Sequence, residues 1–230
     1  MREPANPVFC AVDTDDLARA ETLGRAVARA AGGVKLGKEF FTAHGPQGVR
    51  RVLEAAGGLP LFLDLKWHDI PNTVAGAVRA SLALRPFMVN VHATGGPAMM
   101  KAARDAARGE TLVIAVTVLT SLDDADLEAV GLRGPASERA VALARLAREC
   151  GMDGVVCAAH EIAAVRAACG PAFRLVVPGL RPAGAELGDQ KRVMTPAEAR
   201  RLGADWLVVG RPIADAPDPA AAARAIVEGL

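Results

Sequence analysis

Eight short apolar runs, separated by longer alanine-rich stretches, constrain the fold of this chain more than any other feature of its sequence. Runs of this length are typical of buried strands, and the stretches between them carry apolar residues at helical spacing. The runs occupy residues 7–12, 33–36, 61–65, 87–91, 112–118, 154–157, 174–177 and 206–209. The helical stretches include residues 15–31, 97–107, 137–150, 160–168 and 196–202. Strands that alternate with helices in this way pair in parallel, so the sequence predicts an α/β protein.

The number of these units selects the architecture. Eight strand–helix units in 230 residues fit a (β/α)8 barrel, the TIM-barrel fold. A doubly wound sheet would need fewer strands and a glycine-rich first turn, whereas the turn after the first run reads Asp13-Thr14-Asp15-Asp16. No proline- or serine-rich linker separates the runs. We therefore predict one barrel that forms a single domain over residues 1–230.

The charge balance and the cysteines limit the partners and the compartment. The 27 basic residues nearly cancel the 26 acidic ones, and a net charge of +1 gives no field that would hold a nucleic-acid backbone. The apolar runs are far shorter than the ~20 residues of a membrane span, and the N-terminus has no signal-peptide core. The four cysteines form no CxxC pair, which favours reduced structural thiols over a catalytic cysteine. We expect a cytoplasmic protein without nucleic-acid or membrane partners.

Polar residues follow the apolar runs where the predicted strands end. In a barrel these positions share the carboxyl-end face, where the active sites of this fold are built. Each residue taken alone is also typical of a helix cap or a loop. Together they predict a site on this face that includes Asp13, Lys35, Asp64, His92, Thr120, Pro178, Gly210 and Arg211.

The most informative segment is the decapeptide DLKWHDIPNT at residues 64–73. Asp64 and Lys66 are two residues apart at a strand end, so their side chains are predicted to project from the same side of the sheet. Asp69 follows where the chain has turned. A DxKxxD pattern by itself is often an exposed cluster of ion pairs. That alternative fits poorly here, because the apolar run at residues 59–65 leads directly into the pattern.

The end of the decapeptide predicts where the next helix begins. Pro71 ends the extended stretch, because its ring removes a hydrogen-bond donor and restricts the preceding residue. Asn72 or Thr73 is then predicted to cap the helix that follows.

Lysine is scarce in this chain, with five lysines against 22 arginines. Where only positive charge is needed, this composition uses arginine, yet Lys35 and Lys66 lie near strand ends on the predicted active face. Lysine differs from arginine in its ability to lose and donate a proton when its surroundings shift its pKa. We therefore expect Lys66 to deliver a proton and Lys35 to pair with the carboxylates. A structural salt bridge explains Lys35 equally well.

Two loops near the end of the chain favour an anion. A Pro-Gly-Leu-Arg segment at residues 178–181 follows the seventh run, and a Gly-Arg turn at residues 210–211 follows the eighth. Phosphate sites of barrel enzymes recur after these two strands. The polar loop at residues 181–193 is long enough to close over a ligand, and Arg181 and Gln190 could reach a phosphate from it. An ordinary loop with a surface arginine is the alternative.

These residues resemble a known family, the orotidine 5′-monophosphate decarboxylases. The decapeptide at residues 64–73 carries the closest resemblance. Further matching segments extend it along the chain, at residues 8–13, 33–37, 90–93, 116–121, 177–181, 188–190 and 208–213. The resemblance implies a barrel that converts orotidine 5′-monophosphate to UMP, the last step of pyrimidine nucleotide biosynthesis.

The resemblance also implies a role for each matching residue. Lys66 would be the proton donor, beside Lys35, Asp64 and Asp69. Asp69 would reach the site of a neighbouring subunit together with Ile70 and Thr73, which implies a homodimer. Asp13 would contact the ribose, and Thr120 would lie near the base. The residues around the 5′-phosphate would be Arg181, Gln190, Gly210 and Arg211. Asn72 and Pro178 would be further substrate contacts. The resemblance implies neither a metal nor an organic cofactor.

Two other functions compete with this one. Sugar-phosphate decarboxylases of the same superfamily share DxKxxD but use magnesium, with a carboxylate ligand on the second strand. Here that strand carries Lys35, which would repel the ion, and the histidines show no HxH or HExxH spacing. The other alternative is a phosphosugar-binding barrel without activity, against which the intact Asp64, Lys66 and Asp69 argue.

Overall fold

The computed structural model describes residues 3–182 and 194–230 and shows the predicted (β/α)8 barrel. All the strand pairs are parallel and consecutive, and the last strand pairs with the first, so the barrel is closed. Each of the eight apolar runs forms one strand: β1 (Val8–Val12), β2 (Gly33–Gly37), β3 (Leu61–Trp67), β4 (Met88–His92), β5 (Leu112–Val116), β6 (Gly154–Val156), β7 (Arg174–Val177) and β8 (Trp206–Val209). The fold prediction is confirmed.

Helices follow the strands around the outside of the barrel. In the described part of the chain they are α1 (Leu17–Val27), α2 (Lys38–Ala55), α3 (Pro71–Ser81), α4 (Gly96–Ala107), α5 (Asp124–Ala129), α6 (Ala136–Glu149), α7 (Ile162–Cys169), α8 (Pro196–Arg201), α9 (Arg211–Ala214) and α10 (Pro219–Glu228). Short 3₁₀ turns lie at Leu82–Leu84, Ala93–Gly95 and Ala159–Glu161. The five stretches with helical spacing all contain helices. Helix α2 is kinked at Gly45 (φ 56°) and Pro46, which interrupt its apolar period.

The predicted cap of helix α3 is wrong. The helix begins at Pro71, and the N-cap position is Ile70, whose side chain makes no capping bond. Proline suits the first turn of a helix because the N–H it lacks would be unpaired there. Asn72 and Thr73 therefore lie inside the first turn and are exposed to solvent.

Aromatic side chains close the amino-terminal half of the barrel interior. Phe9 stacks on Phe87 with ring centroids 6.1 Å apart, and Phe87 meets the edge of Trp206 at 5.2 Å. Phe62 packs edge-on against Phe9 at 6.5 Å, and the Arg174 guanidinium lies 5.2 Å from the Trp206 ring. Large aromatic rings fill this end of the barrel. Polar side chains are left to the carboxyl-end half.

The cysteines behave as structural residues. All four are free and buried. Burial, reinforced by the nearby Asp13 carboxylate, raises the pKa of the Cys10 thiol to about 12, and burial also raises the pKa of Cys157. A thiol that stays protonated at neutral pH is a poor nucleophile. Within the described residues, no helix is both long enough and apolar enough to cross a bilayer.

Glu161 is a buried carboxyl group that the sequence did not single out for the site. It is 3% exposed at the end of the 3₁₀ turn that follows β6, and its Oε2 accepts a hydrogen bond from the Ala158 N–H at 2.8 Å. Burial raises the pKa of this carboxyl from 4.5 to about 7, although the Ala158 N–H acts in the opposite direction. The folded protein holds this proton more tightly than the unfolded chain does. Its free energy of unfolding therefore falls as the pH rises from about 4.5 to about 7.

We predict that Glu161→Gln stabilises the protein more at pH 8.5 than at pH 5. Glutamine keeps an oxygen for the Ala158 N–H but has no charge to bury, so the variant avoids a cost of at most about 3 kcal/mol at high pH. The check is the difference in Tm between the variant and the wild type at both pH values. The exposed Glu128→Gln serves as the control. An equal Tm difference at both pH values would contradict the prediction.

Candidate active site

A cavity of about 280 Å³ opens at the carboxyl ends of the strands. Its floor is apolar and is formed by Ala11, Phe62, Val156 and Val208. Its walls contain eight of the residues predicted from the sequence: Asp13, Lys35, Asp64, Lys66, Pro178, Arg181, Gly210 and Arg211. The barrel thus brings together polar residues that lie up to about two hundred positions apart, because parallel strands all end on the same face.

Asp64 lies at the centre of a cluster of alternating charges. Its Oδ1 accepts a hydrogen bond from Lys66 Nζ at 2.5 Å, and its Oδ2 lies 3.4 Å from Lys35 Nζ. Lys35 also donates to Asp13 Oδ1 at 2.7 Å. The side chains of Asp64 and Lys35 are almost fully buried, which contradicts the alternative of an exposed ion-pair cluster.

The groups around Asp64 and Lys35 keep both of these side chains in their charged forms. Burial by itself would raise the pKa of the Asp64 carboxyl, but the ammonium groups of Lys35 and Lys66 and the hydrogen bonds from Lys66 and Asn90 lower it overall. Burial would likewise lower the pKa of Lys35, and the carboxylates of Asp64 and Asp13 raise it instead. Lys35 is therefore a fixed cation. Lys66 is the lysine open to a ligand, since 28% of its side chain is exposed against 9% for Lys35.

The backbone at Lys66 is in a left-handed conformation with φ 50°. This conformation costs a residue with a side chain roughly 1–2 kcal/mol, and such strain tends to occur at functional sites. It coincides with an irregularity in the sheet, because Leu63 pairs with Val89 whereas Trp67 pairs with Val91. Three residues of β3 therefore face the single residue Asn90 of β4.

Sequence reasoning gave Asn90 no role of its own. Asn90 is completely buried, accepts a hydrogen bond from the Lys66 N–H at 2.7 Å and donates one to Asp64 Oδ1 at 2.7 Å. The available signal was an asparagine within the apolar run at residues 87–91. A buried amide must find partners, and here those partners belong to the charged cluster.

The opposite wall of the cavity carries two arginines and two glycines. Gly179 has φ 75°, a conformation that favours glycine, and Gly210 precedes helix α9, which begins at Arg211. Arg181 is buried, and its Nε finds no hydrogen-bond partner among the residues that the structure describes. Arginine donors arranged around an open space suit an anion with several oxygens.

The remaining predicted residues do not line this cavity within one chain. Asp69, Ile70, Asn72 and Thr73 are exposed at the start of α3, and Thr120 is exposed in the turn after β5. The Asp69 carboxylate accepts a hydrogen bond from the Ile70 N–H at 2.6 Å. In residues 3–182 and 194–230 it forms no ion pair with either lysine of the cluster. Gln190 lies outside the described residues.

The donor set of this site does not resemble a metal centre. Across residues 3–182 and 194–230, no three His, Cys, Asp or Glu side chains form a group that could hold a metal ion. Burial lowers the pKa of His92 to about 4, assisted by His68 and the nearby lysines, so its ring is neutral at physiological pH. Two ammonium groups already neutralise Asp64, the carboxylate at the centre of the cluster.

The fold and this site define the class of protein: a (β/α)8-barrel enzyme with a lysine–aspartate cluster facing an anion-binding wall. Comparisons with known proteins narrow the class. The chain matches the family described as Orotidine 5′-phosphate decarboxylase / HUMPS over residues 6–226. This chain belongs to that family, and the resemblance noted in the sequence is confirmed.

Individual relatives agree with the family assignment. The chain is 57% identical to an orotidine 5′-phosphate decarboxylase of Anaeromyxobacter sp. (strain K) over 228 residues, which is 99% of this chain and 100% of the relative. It is 55% identical to an orotidine 5′-phosphate decarboxylase of Rhodospirillum rubrum, covering 96% of this chain and 92% of the relative. The crystal structure of orotidine 5′-phosphate decarboxylase from Lactobacillus acidophilus superposes with a TM-score of 0.85 at 35% identity, covering 97% of this chain and 98% of that one.

Proposed function

We propose that this chain converts orotidine 5′-monophosphate to UMP with release of CO₂, in pyrimidine nucleotide biosynthesis. The observation that carries the proposal is the contact between Lys66 Nζ and the buried Asp64 carboxylate, at 2.5 Å, in a cavity whose opposite wall holds Arg181 and Arg211. The pair of Lys66 and Asp64 suits chemistry on a carbanion, and the two arginines suit a phosphate. The names of the relatives support the same substrate.

In the proposed mechanism, Lys66 is both the electrostatic stabiliser and the proton donor. The bond between C6 of the pyrimidine and its carboxylate breaks, CO₂ leaves, and the electron pair stays on C6. The ring delocalises this charge poorly, so an ammonium fixed beside C6 lowers the barrier and then gives its proton to the carbon. Asp64 holds the ammonium in place and would face the departing carboxylate. Lys35 keeps Asp64 ionised.

The rest of the nucleotide would be bound around this centre. Arg181, Gly210 and Arg211, with Gln190, would hold the 5′-phosphate beside Pro178, and Asp13 would contact the ribose. Thr120 and Asn72 would contact the nucleotide from the rim. Binding energy from a phosphate far from the reacting carbon can serve to order the site for reaction.

We further propose that the enzyme is a homodimer with shared sites. Asp69 lies apart from the cluster of its own chain, and the side chain of Ile70 next to it is apolar yet 66% exposed. A second subunit seated on this surface would cover Ile70 and bring Asp69 and Thr73 to the edge of its own cavity. Each site would then contain Lys35, Asp64 and Lys66 of one chain and Asp69 of the other.

No metal or organic cofactor is needed for the proposed chemistry, because the lysine supplies both the charge and the proton. A magnesium-dependent sugar-phosphate decarboxylase would need a carboxylate on β2, where this chain has the Lys35 ammonium. The free cysteines and the phosphorylated substrate are typical of the cytoplasm, where we expect the enzyme to act. We expect the whole chain to form one domain.

The first test is an absorbance assay of orotidine 5′-monophosphate conversion to UMP, with EDTA present. We expect wild-type turnover to persist, and Lys66→Ala to lower kcat/KM by at least about 10³-fold, since it removes both the charge and the proton donor. Lys66→Arg should be nearly as defective, because arginine keeps the charge but does not readily donate its proton.

Lys101→Ala, which removes an exposed lysine on helix α4, is the control and should retain wild-type activity. Retention of more than about a tenth of the activity by Lys66→Ala would refute its role. Loss of wild-type turnover in EDTA would favour the magnesium-dependent alternative, and absence of turnover under any condition would favour the binding barrel.

The shared site predicts complementation between inactive variants. Mixing Asp69→Ala chains with Lys66→Ala chains should restore activity, because one of the two sites of the heterodimer then collects both substitutions and the other collects neither. The measurement is turnover after subunit exchange, with exchange followed independently by a tag on one chain. If exchange occurs and no activity returns, Asp69 acts within its own chain or only supports the fold.

The phosphate site predicts a defect that depends on the phosphate. Arg211→Ala should raise KM and lower kcat/KM for the nucleotide by roughly 10²-fold, as expected for loss of a charged hydrogen bond. Orotidine without its 5′-phosphate should react equally poorly with the variant and the wild type. The exposed Arg201→Ala is the matched control. An equal defect on both substrates would mean that Arg211 supports the catalytic cluster or the fold.

A further inference from the structure

Asn90 occupies a position in the barrel where size alone would favour an aliphatic side chain. On its own strand it lies between Val89 and Val91, and its register partner on β5 is Ile114. Its side chain is completely buried and does not line the cavity. An amide buried among apolar residues is costly unless each of its polar atoms is bonded. The position therefore requires an explanation from the bonds that Asn90 makes.

Those bonds close a ring that contains the reactive lysine. The Lys66 N–H donates to Asn90 Oδ1, Asn90 Nδ2 donates to Asp64 Oδ1, and Lys66 Nζ donates to the same Asp64 oxygen. The ring thus ties the backbone of Lys66 to the carboxylate that holds the end of its side chain. Both ends of Lys66 are fixed through one residue of the neighbouring strand.

The irregularity of the sheet explains why a side chain is needed there. Between the pairs Leu63–Val89 and Trp67–Val91, β3 has two more residues than β4. The backbone of β4 cannot form regular sheet hydrogen bonds with the extra residues of β3. The backbone of Lys66, one of these residues, is in the left-handed region at φ 50°. Asn90 supplies from its side chain the acceptor that the backbone of β4 does not offer to the Lys66 N–H.

We propose that Asn90 is a positioning residue, which holds the left-handed backbone of Lys66 and orients Asp64 so that the lysine ammonium stays directed into the cavity. The inference rests on the proposed function of Lys66. Asn90 itself would not touch the substrate. Its loss should lower kcat while leaving KM nearly unchanged, because the proposed phosphate site lies on the opposite wall.

The chain offers a matched control. Asn6, which precedes β1 and is half-buried, also bonds through both ends of its amide, but only to backbone groups: its Oδ1 accepts from the Val8 N–H at 3.1 Å, and its Nδ2 donates to the Ala30 carbonyl at 3.0 Å. It lies at the amino-terminal end of the barrel, away from the cavity. Asn6→Leu and Asn6→Asp therefore report what the loss of an amide that bonds only to backbone, away from the cavity, does to stability.

We expect Asn90→Leu to lower kcat by about 10²-fold or more, as misplacement of a reacting group by about 1 Å can do, with KM changed less than about threefold. Asn6→Leu should lower Tm with little change in kcat. Because an apolar residue could disturb the barrel, Asn90→Asp is the second variant. It has nearly the same shape and keeps the acceptor for the Lys66 N–H.

Asn90→Asp should show a pH dependence that the wild type lacks. The groups that face it are Asp64 and Lys66 on β3, Lys35 behind Asp64 on β2 and His92 on its own strand, while the β5 neighbour Ile114 is apolar. Two carboxylates this close share a proton at low pH, and the proton restores the bond to Asp64. As the pH rises and the proton is lost, kcat should fall. The kcat of Asn6→Asp should not show this fall as the pH rises.

A measurement without substrate separates this inference from the proposed function. The chain has five lysines, so the Nζ signals of isotope-labelled lysine can be assigned, that of Lys66 by its loss in Lys66→Arg. Asn90→Leu should shift the Lys66 signal and Asn6→Leu should not. This result decides the role of Asn90 even if the wild type shows no turnover, which would refute the proposed function by itself.

Three results would overturn the proposal. The first is a folded Asn90→Leu and Asn90→Asp with kcat within about threefold of the wild type. The second is an unchanged Lys66 signal in Asn90→Leu. The third is failure of Asn90→Asp to fold at low and at neutral pH, which would make Asn90 a support of the whole barrel rather than of Lys66.

Discussion

The arrangement of the site depends on one buried charge, the carboxylate of Asp64. Removing an ionised group from water costs several kcal/mol unless it is paired and hydrogen-bonded. Asp64 meets this requirement with Lys66 and Asn90 on one oxygen and Lys35 on the other. The same contacts fix the ammonium of Lys66 in the wall of the cavity. The groups that make the buried carboxylate tolerable are thus the groups that the proposed chemistry uses.

The barrel divides its interior between packing and chemistry. Phe9, Phe62, Phe87 and Trp206 fill the amino-terminal half with aromatic rings. This dry layer ends in the floor of the cavity, where Phe62 lies below the charged cluster. Charges held above an apolar floor interact more strongly than they would in water, since less solvent screens them. The packed layer therefore contributes to the electrostatics of the site as well as to the stability of the fold.

Lys66 illustrates how the site trades local stability for geometry. Its left-handed backbone is unfavourable, and the shift in strand pairing removes regular sheet hydrogen bonds. Asn90 and Asp64 provide substitute bonds from their side chains. Strain of this kind persists only where the surroundings determine the conformation from several directions. The closed barrel does so here, because β3 is held by β2 on one side and by β4 on the other.

The pattern of apolar runs and polar strand ends is enough to predict the eight strands, the closed barrel they form and most of the cavity wall. Parallel strands buried on both faces need continuous apolar runs, so the strands are visible in the sequence, and Asp13, Lys35, Asp64 and Lys66 are visible as the polar residues that end them. Features that depend on the pairing of two strands could not be predicted in this way, because they arise only when the strands meet in the folded barrel. The role of Asn90 arises from the pairing shift between β3 and β4, which no pattern within one strand encodes. The tertiary structure also set Asp69 apart from the cluster, although it is only three residues from Lys66, because helix α3 begins at Pro71 and carries the chain away from the cavity.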